Sequence, residues 1–330
     1  VESSRPAGGR EYPMKKRSIL IAIDGSKGGM AAVRYVAGTA HPDGLSIHLF
    51  SVMSPMPESF WDSEIEPGSL NGKDDATRWE QEQVRITEGF LKEAKQMLVA
   101  SGLEPGAVTY KVHRRERGVA RDIAMEAQRG YDAVVLGRRG NNPAAELPIG
   151  SVATKIANTL HHFPVWIVAG PERSKVLVAM DCSKSALRAL DHVCDMLHPD
   201  CPGICLCHVI REAVGQVSEP SLGPSDETGR FLAEMNRKRT EKAETAMGRC
   251  FMGGEGQLKS RGFDPDRVTT RIITGAASRA GSVVREAKNN GYGTIILGRQ
   301  GLNPEEGFFM GQVCSKVLQL AAGITVWIVS

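Results

Sequence analysis

The chain alternates short apolar runs with longer stretches in which apolar residues recur three or four positions apart. Ile19 to Ile23 is a compact apolar run ending in Asp24, as a strand buried on both faces of a parallel sheet would be. The pattern then predicts a helix from about Met30 to Ala40 and a strand from Ile47 to Met53. Ser54 to about Asp75, rich in Pro, Ser and acidic residues, reads as a loop, and a long amphipathic helix follows from Thr77 to Ala100. Val108 to Val112 predicts a strand, Val119 to Gln128 a helix and Ala133 to Leu136 a strand, with a last helix over Ser151 to Leu160 and a last strand over Val165 to Ala169. Alternation of this kind implies right-handed crossovers and a mostly parallel sheet with helices on both faces. Ligands in such sheets bind outside the carboxyl ends of the strands, where Asp24, Val52 and Gly137 fall.

The whole pattern then occurs again. Val134-Val135-Leu136-Gly137-Arg138-Arg139-Gly140 is echoed by Ile295-Ile296-Leu297-Gly298-Arg299-Gln300-Gly301, Gly130-Tyr131 by Gly291-Tyr292, and Asn142-Pro143 by Asn303-Pro304. Val165-Trp166-Ile167-Val168 returns unchanged as Val326-Trp327-Ile328-Val329, and His41-Pro42-Asp43 as His198-Pro199-Asp200. An offset of about 160 residues is far longer than a solenoid unit, so each copy is a complete domain. The expected organisation is a flexible leader over residues 1–16, a first domain over 17–170 and a second over 171–330, with the seam near Gly170-Pro171. Met14-Lys15-Lys16, just before the first apolar run, is read as the natural start, with the residues ahead of it an extension.

Composition narrows the function. With 330 residues, 41% hydrophobic and 24% charged, the chain has the make-up of a soluble globular protein. Aromatics at 5% are too scarce for broad base-stacking surfaces, and a net charge of +3 implies no general polyanion-binding face, so nucleic acid is not an expected partner. No apolar run approaches the roughly 20 residues that span a membrane. The first residues lack the apolar core of a secretory signal, and the cysteine count is odd, seven, all in the second half; both fit a reducing cytoplasm.

The candidate chemistry lies in the loop after the fourth strand. Gly137-Arg138-Arg139-Gly140 is followed by nine residues and then by Gly150-Ser151-Val152, which opens a helix. Glycines at 137 and 140 permit close backbone approach, and a helix N-terminus offers free N–H groups and a dipole that favours an anion. The Ser151 hydroxyl is either a further donor or the cap of its own helix. On spacing alone, a phosphate site and a pair of structural turns stand level.

The spacing Gly-x2-Gly-x9-Gly-Ser, between the fourth strand and fourth helix of a βαβ domain, resembles the ATP-binding motif of the universal stress protein family. The first strand ending in Ile23-Asp24-Gly25-Ser26 and the terminal Pro164-Val165-Trp166-Ile167-Val168 fit as well, and Met180-Asp181-Cys182-Ser183 and Cys207-His208-Val209-Ile210 repeat the likeness in the second copy. The resemblance runs from Arg17 onward. It implies two tandem, open, mostly parallel five-stranded α/β sandwich domains of the adenine-nucleotide alpha hydrolase-like type. It implies adenine against Asp24 and Val52, and ribose and phosphates on Gly137, Gly140, Gly150, Ser151 and Val152, with ATP, ADP or AMP as ligand and Mg²⁺ or Mn²⁺ on the phosphates. Arg138 and Arg139 could reach those phosphates, although an arginine pair in a loop more often faces solvent. In the second copy Asp181, Val209, Gly298, Gly301 and Gly311 keep the pattern while Gln312 replaces the serine, so a weakened or altered second site is expected.

Other constellations carry less. Cys205 and Cys207 point to one face of a strand without a partnering CxxC or His pair, so buried structural thiols outweigh a metal pair. Cys314, in the first turn of a helix, and Cys182, next to Asp181, leave a redox-sensing second domain open. Gly68-Ser69-Leu70-Asn71-Gly72-Lys73 only mimics a P-loop, with one residue too few between its glycines and no strand before it. The basic stretch His113-Arg114-Arg115-Glu116-Arg117 reads as a solvated loop. Since no nucleophile is paired with an oriented base, a nucleotide-dependent stress sensor or regulator is expected ahead of a slow Mg²⁺- or Mn²⁺-dependent ATPase or a scaffold without nucleotide. The resemblance also suggests partnering through the final strand: the repeated Val-Trp-Ile-Val strands are expected to pair with each other, and a homodimer of two chains is left open.

Overall fold

A computed structural model describes residues 16–54, 72–140, 148–211, 227–302 and 310–330. The leader and its Met14 start, the P-loop mimic up to Asn71 and the Asn142-Pro143 and Asn303-Pro304 echoes lie outside these residues. The first half runs β1 (Arg17–Ala22), α1 (Lys27–Thr39), β2 (Leu45–Met53), α2 (Gly72–Ala100), β3 (Val108–Arg114), α3 (Val119–Ala127), β4 (Ala133–Gly137), α4 (Ser151–Thr159) and β5 (Val165–Val168). The second half repeats it as β6 (Lys175–Ala179), α5 (Lys184–Met196), β7 (Ile204–Arg211), α6 (Glu227–Ser260), β8 (Val268–Ala276), α7 (Arg279–Asn289), β9 (Tyr292–Gly298), α8 (Gln312–Leu320) and β10 (Thr325–Val329).

All ten strands join one sheet, in the order β3-β2-β1-β4-β5-β10-β9-β6-β7-β8. Pairing within each half is parallel, as in Ile19 opposite Ile47 and Ala133. The halves meet at the antiparallel pair β5–β10, where Trp166 faces Trp327, Val165 faces Ile328 and Ile167 faces Val326. The apolar runs are continuous because both faces are covered. Successive side chains alternate faces: Ile19, Ile21 and Ile23 pack with α1 and α2 residues such as Val33 and Leu91, while Leu20 and Ala22 pack with α3 and α4 residues such as Ile123 and Ile156. Each of these two cores continues into the other half, so neither stops at the seam.

The helices start where local chemistry dictates. Ser26 caps α1 by accepting the Gly29 N–H at 3.0 Å, and Ser183 caps α5 by accepting the Ala186 N–H at 3.1 Å. In each half, strand one and strand four lie side by side while strand two lies beyond strand one, so the chain reverses its direction of progress between them. At that reversal the loops diverge and leave a crevice at the carboxyl ends of the strands.

Candidate functional site

In the first half this crevice is a cavity of about 440 Å³. It gathers Asp24 from the end of β1, Val52 from β2, Gly137 and Gly140 after β4, and Gly150, Ser151 and Val152 from the start of α4. Phe50, Val119, Ile123, Leu136 and Ile149 give it an apolar wall, and Arg139 and Ser54 also line it. Periodicity could have found two of these: Phe50 lies two residues before Val52 on the same strand face, and Ile123 lies one helical turn beyond Val119.

The loop is held by backbone contacts that leave no room for side chains. The Gly150 N–H donates to the Arg138 carbonyl at 2.8 Å, tying the loop's two ends together. A Cβ on Gly137 would lie 2.5 Å from the Gly28 backbone, and one on Gly28 would lie 2.0 Å from the Arg139 carbonyl oxygen. The Gly28-Gly29 pair, unremarked in the motif, is thus what lets α1 approach this loop. On Gly140 a Cβ would meet the Asp24 carboxylate at 2.5 Å. Asp24 also accepts the Ser26 N–H at 3.1 Å, so it shapes the turn after β1 as well as lining the cavity.

At the head of α4 Gly150 is the cap residue, with extended backbone and no side-chain cap. Ser151 is therefore the first helical residue and not the cap of its own helix; its exposed side chain lines the cavity. The first backbone bond of the helix runs from Thr154 N–H to Gly150 C=O at 2.9 Å, so the amides of Ser151, Val152 and Ala153 precede the helical ladder and can serve an anion.

The two loop arginines separate. Both border the cavity, but Arg139 is exposed there while the Arg138 guanidinium is turned away from it. Only 5% exposed, Arg138 donates from Nε to the Pro148 carbonyl at 2.8 Å and from its terminal nitrogen to the Leu318 carbonyl at the end of α8. Burial, aided by Arg139, lowers its pKa to about 10. Arg299 reciprocates, donating to Ala157 C=O near the end of α4 at 2.6 Å and to the Ser330 hydroxyl at 3.0 Å. The expectation that Arg138 could reach phosphates is corrected: it serves the carbonyls at a helix C-terminus, where a cation is favoured. The basic stretch after β3 also stays off the cavity; Arg114 pairs with Glu80 at 2.5 Å, and buried Asp122 accepts the Glu116 and Arg117 amides.

The second half holds a corresponding cavity of about 360 Å³, lined by Asp181, Val209, Gly298, Gly301, Gly311 and Gln312 together. Its chemistry differs. Cys207 stands where the first cavity has Phe50, Arg279 where it has Val119, Met310 where it has Ile149, and Gln312 where it has Ser151. Ser185 replaces Gly28, and its hydroxyl accepts the Gln300 N–H at 3.4 Å, so the β9 loop rests on a side chain rather than on bare backbone.

Of the cysteine expectations the one for Cys314 changes, while Cys205 and Cys207 are the buried thiols expected. Cys314 is buried, and burial pushes its thiol up to about 12, which overrides the helix N-terminus and removes a thiolate there. Cys205 and Cys207 are buried in the core, both thiols shifted upward by burial. Among the described residues no group of three His, Cys, Asp or Glu could hold a metal ion, and no helix is long and apolar enough to cross a membrane.

Fold and cavities define an α/β protein built from two copies of a domain with a glycine-cradled crevice at the strand ends. A profile of the Universal stress protein family matches residues 16–169 and 172–330, and the chain belongs to that family as a tandem of two such domains. It is 28% identical over 227 residues to a universal stress protein of Mycolicibacterium smegmatis (strain ATCC 700084 / mc(2)155), covering 65% of this chain and 71% of that protein. Its fold is similar to a universal stress protein from Archaeoglobus fulgidus DSM 4304, with a TM-score of 0.57, 17% identity and coverage of 96% and 99% of the two chains. A functionally unknown protein from Pseudomonas aeruginosa PAO1 is similar at a TM-score of 0.52 and 13% identity, over 96% of this chain and 93% of that one.

Proposed function

We propose that the first domain binds an adenine nucleotide, ATP or its di- or monophosphate, and that the protein acts as a nucleotide-dependent stress sensor or regulator. One observation carries this reading: an apolar wall, a glycine cradle and the uncommitted amides of a helix start converge in a single cavity of about 440 Å³. That volume falls in the range of small-molecule sites. Phe50, Val52, Val119 and Ile123 suit a purine, and Gly137 and Gly140 bring backbone against the sugar and phosphates. The amides of Ser151, Val152 and Ala153, with Arg139, suit the phosphate charge. A Mg²⁺ or Mn²⁺ ion would enter on the phosphates, with Asp24 the carboxylate that lines the cavity.

The second cavity is a weaker or altered site, because Gln312, Arg279 and Cys207 change both its ends. Seven free thiols fit a cytoplasmic place of action. Calorimetric titration of the full chain with ATP tests the reading. One tight site per chain is expected, weakened at least tenfold by Gly140→Ala, whose new methyl meets the Asp24 carboxylate; absence of binding by ATP, ADP and AMP at millimolar concentration overturns it. Sustained phosphate release under excess ATP would turn the sensor into a slow hydrolase.

A further inference from the structure

The turn after β6 carries Cys182 where the turn after β1 carries Gly25: Asp24-Gly25-Ser26 and Asp181-Cys182-Ser183 make the same Asp-to-Ser backbone contact. Gly25 sits at φ +72°, and a Cβ there would lie 2.6 Å from the ring of Phe90 on α2. Cys182 keeps this left-handed conformation at φ +58°, which L side chains rarely adopt. The residue corresponding to Phe90 is Cys250 on α6. Phe90 and Cys250 each precede by eight positions the leucine, Leu98 or Leu258, whose carbonyl accepts the N–H of Leu103 or Phe263. The second half has thus exchanged a glycine facing a ring for a cysteine facing a cysteine.

Cys182 faces the stretch of α6 that carries Cys250: the sulfur of Met247, three residues before Cys250, lies 3.3 Å from Cys182 Sγ, and the Cys250 thiol is near enough to raise the Cys182 pKa. Both are partly exposed, whereas Cys194, Cys201, Cys205, Cys207 and Cys314 are buried. We propose that Cys182 and Cys250 are a modification site: a reversible disulfide that ties the rim of the second cavity, at Asp181, to helix α6. This inference rests on the two thiols alone and not on what either cavity binds.

The co-reactant is a small-molecule disulfide such as oxidised glutathione. The Cys250 sulfur attacks one glutathione sulfur, breaking its S–S bond; the Cys250 proton leaves with the first reduced glutathione. The Cys182 sulfur then attacks Cys250 and expels the second, its own proton going with it. Two protein thiols lose two electrons in total, and one glutathione disulfide gains them. Burial and the Cys250 neighbour push Cys182 up to about 12, so its attack is the slow step, and conversion of Cys250 to a mixed disulfide removes the Cys250 share of that shift before Cys182 attacks.

The test incubates the native full chain with oxidised glutathione, alkylates remaining thiols and maps peptides by mass. The expected result is a Cys182–Cys250 linked peptide in most chains, reversed by dithiothreitol, with the buried cysteines alkylated only after unfolding. Cys250→Ser abolishes the linked peptide. Cys182→Gly does the same while restoring the first half's residue in the left-handed turn, so its loss of linkage is not a loss of fold. A glutathione adduct that persists on Cys250, linkage of another pair, or full recovery of both thiols would overturn the proposal.

Discussion

Trp166 and Trp327 stack face to face across the joint between the halves, with ring centroids 3.7 Å apart and planes 2° from parallel. Tyr35 from α1 and His192 from α5 stand edge-on to both rings, and Trp166 Nε1 donates to His192 Nε2 at 3.0 Å. The joint is therefore packed like a domain core. Trp166→Ala should cost about 3–5 kcal/mol, read as a lowered urea midpoint. Because the cores run through the seam, unfolding should stay a single transition; two resolved transitions would show halves that fold independently. A buried, unpaired carboxylate from Ile167→Glu should go further and expose the Gly170–Ser174 connection to limited proteolysis.

Arg138 and Arg299 make the same joint chemically specific. Each guanidinium reaches carbonyls near the end of the opposite domain's helix, Leu318 for Arg138 and Ala157 for Arg299. Arg138→Met should destabilise the chain by about 2–3 kcal/mol, the scale for hydrogen bonds from a charged donor. Its effect on ATP affinity should be smaller than that of Arg139→Met, expected at about tenfold or 1.4 kcal/mol. Equal losses of affinity would return Arg138 to the phosphate site.

Much of this was legible in the residues, for identifiable reasons. Strands buried on both faces print as unbroken apolar runs, so Ile19–Ile23 and Val165–Val168 stood out, and the repeated Val-Trp-Ile-Val pointed to the β5–β10 pair. The glycine spacing placed the cavity because a close backbone approach excludes any side chain. Arg138 was not legible in that way: its direction depends on α8, 180 residues later, and adjacent arginines look alike in a string. Gly28 was hidden for the same reason, since its contact with the Arg139 carbonyl exists only once α1 lies against β4. Cys314 misled because it is buried, and burial outweighs both the helix start and the nearby Arg299 that would favour a thiolate.

Acidification should loosen the joint. His41 and His198 stack at 5.0 Å beside the Ala40–Leu197 bridge. Burial, then His198 and Arg17, hold the His41 pKa below its usual 6.5, against the opposing pull of Asp43 and Asp200. Burial lowers His48 as well, with Lys111 and Arg129 acting against Glu126. Since the unfolded chain binds these protons more readily, stability is full above about pH 6.5 and is lost as pH falls through the lower folded values. Melting temperature should thus be flat from pH 8 to 7 and decline between 6.5 and 5. His41→Gln should shallow that decline; an unchanged slope would remove His41 as a contributor.

Gly140→Ala separates the cavity's geometry from the stability of the fold. The new methyl would sit 2.5 Å from Asp24 Oδ2, so either the loop or the carboxylate must move. Asp24 is exposed, and a small pivot about its Oδ1 bond to the Ser26 N–H moves Oδ2 toward solvent, which keeps the folding cost near the low end of overpacking, about 1 kcal/mol. The loop's position over the cavity has no such freedom, because the Gly150–Arg138 backbone bond fixes its other end. Nucleotide affinity should therefore fall at least tenfold in titration while the melting temperature moves only slightly. Gly106→Ala is the control, since a Cβ there meets nothing within 4 Å. If Gly140→Ala binds ATP as the parent does, the glycine cradle is a structural turn and the phosphates, if they bind at all, lie elsewhere.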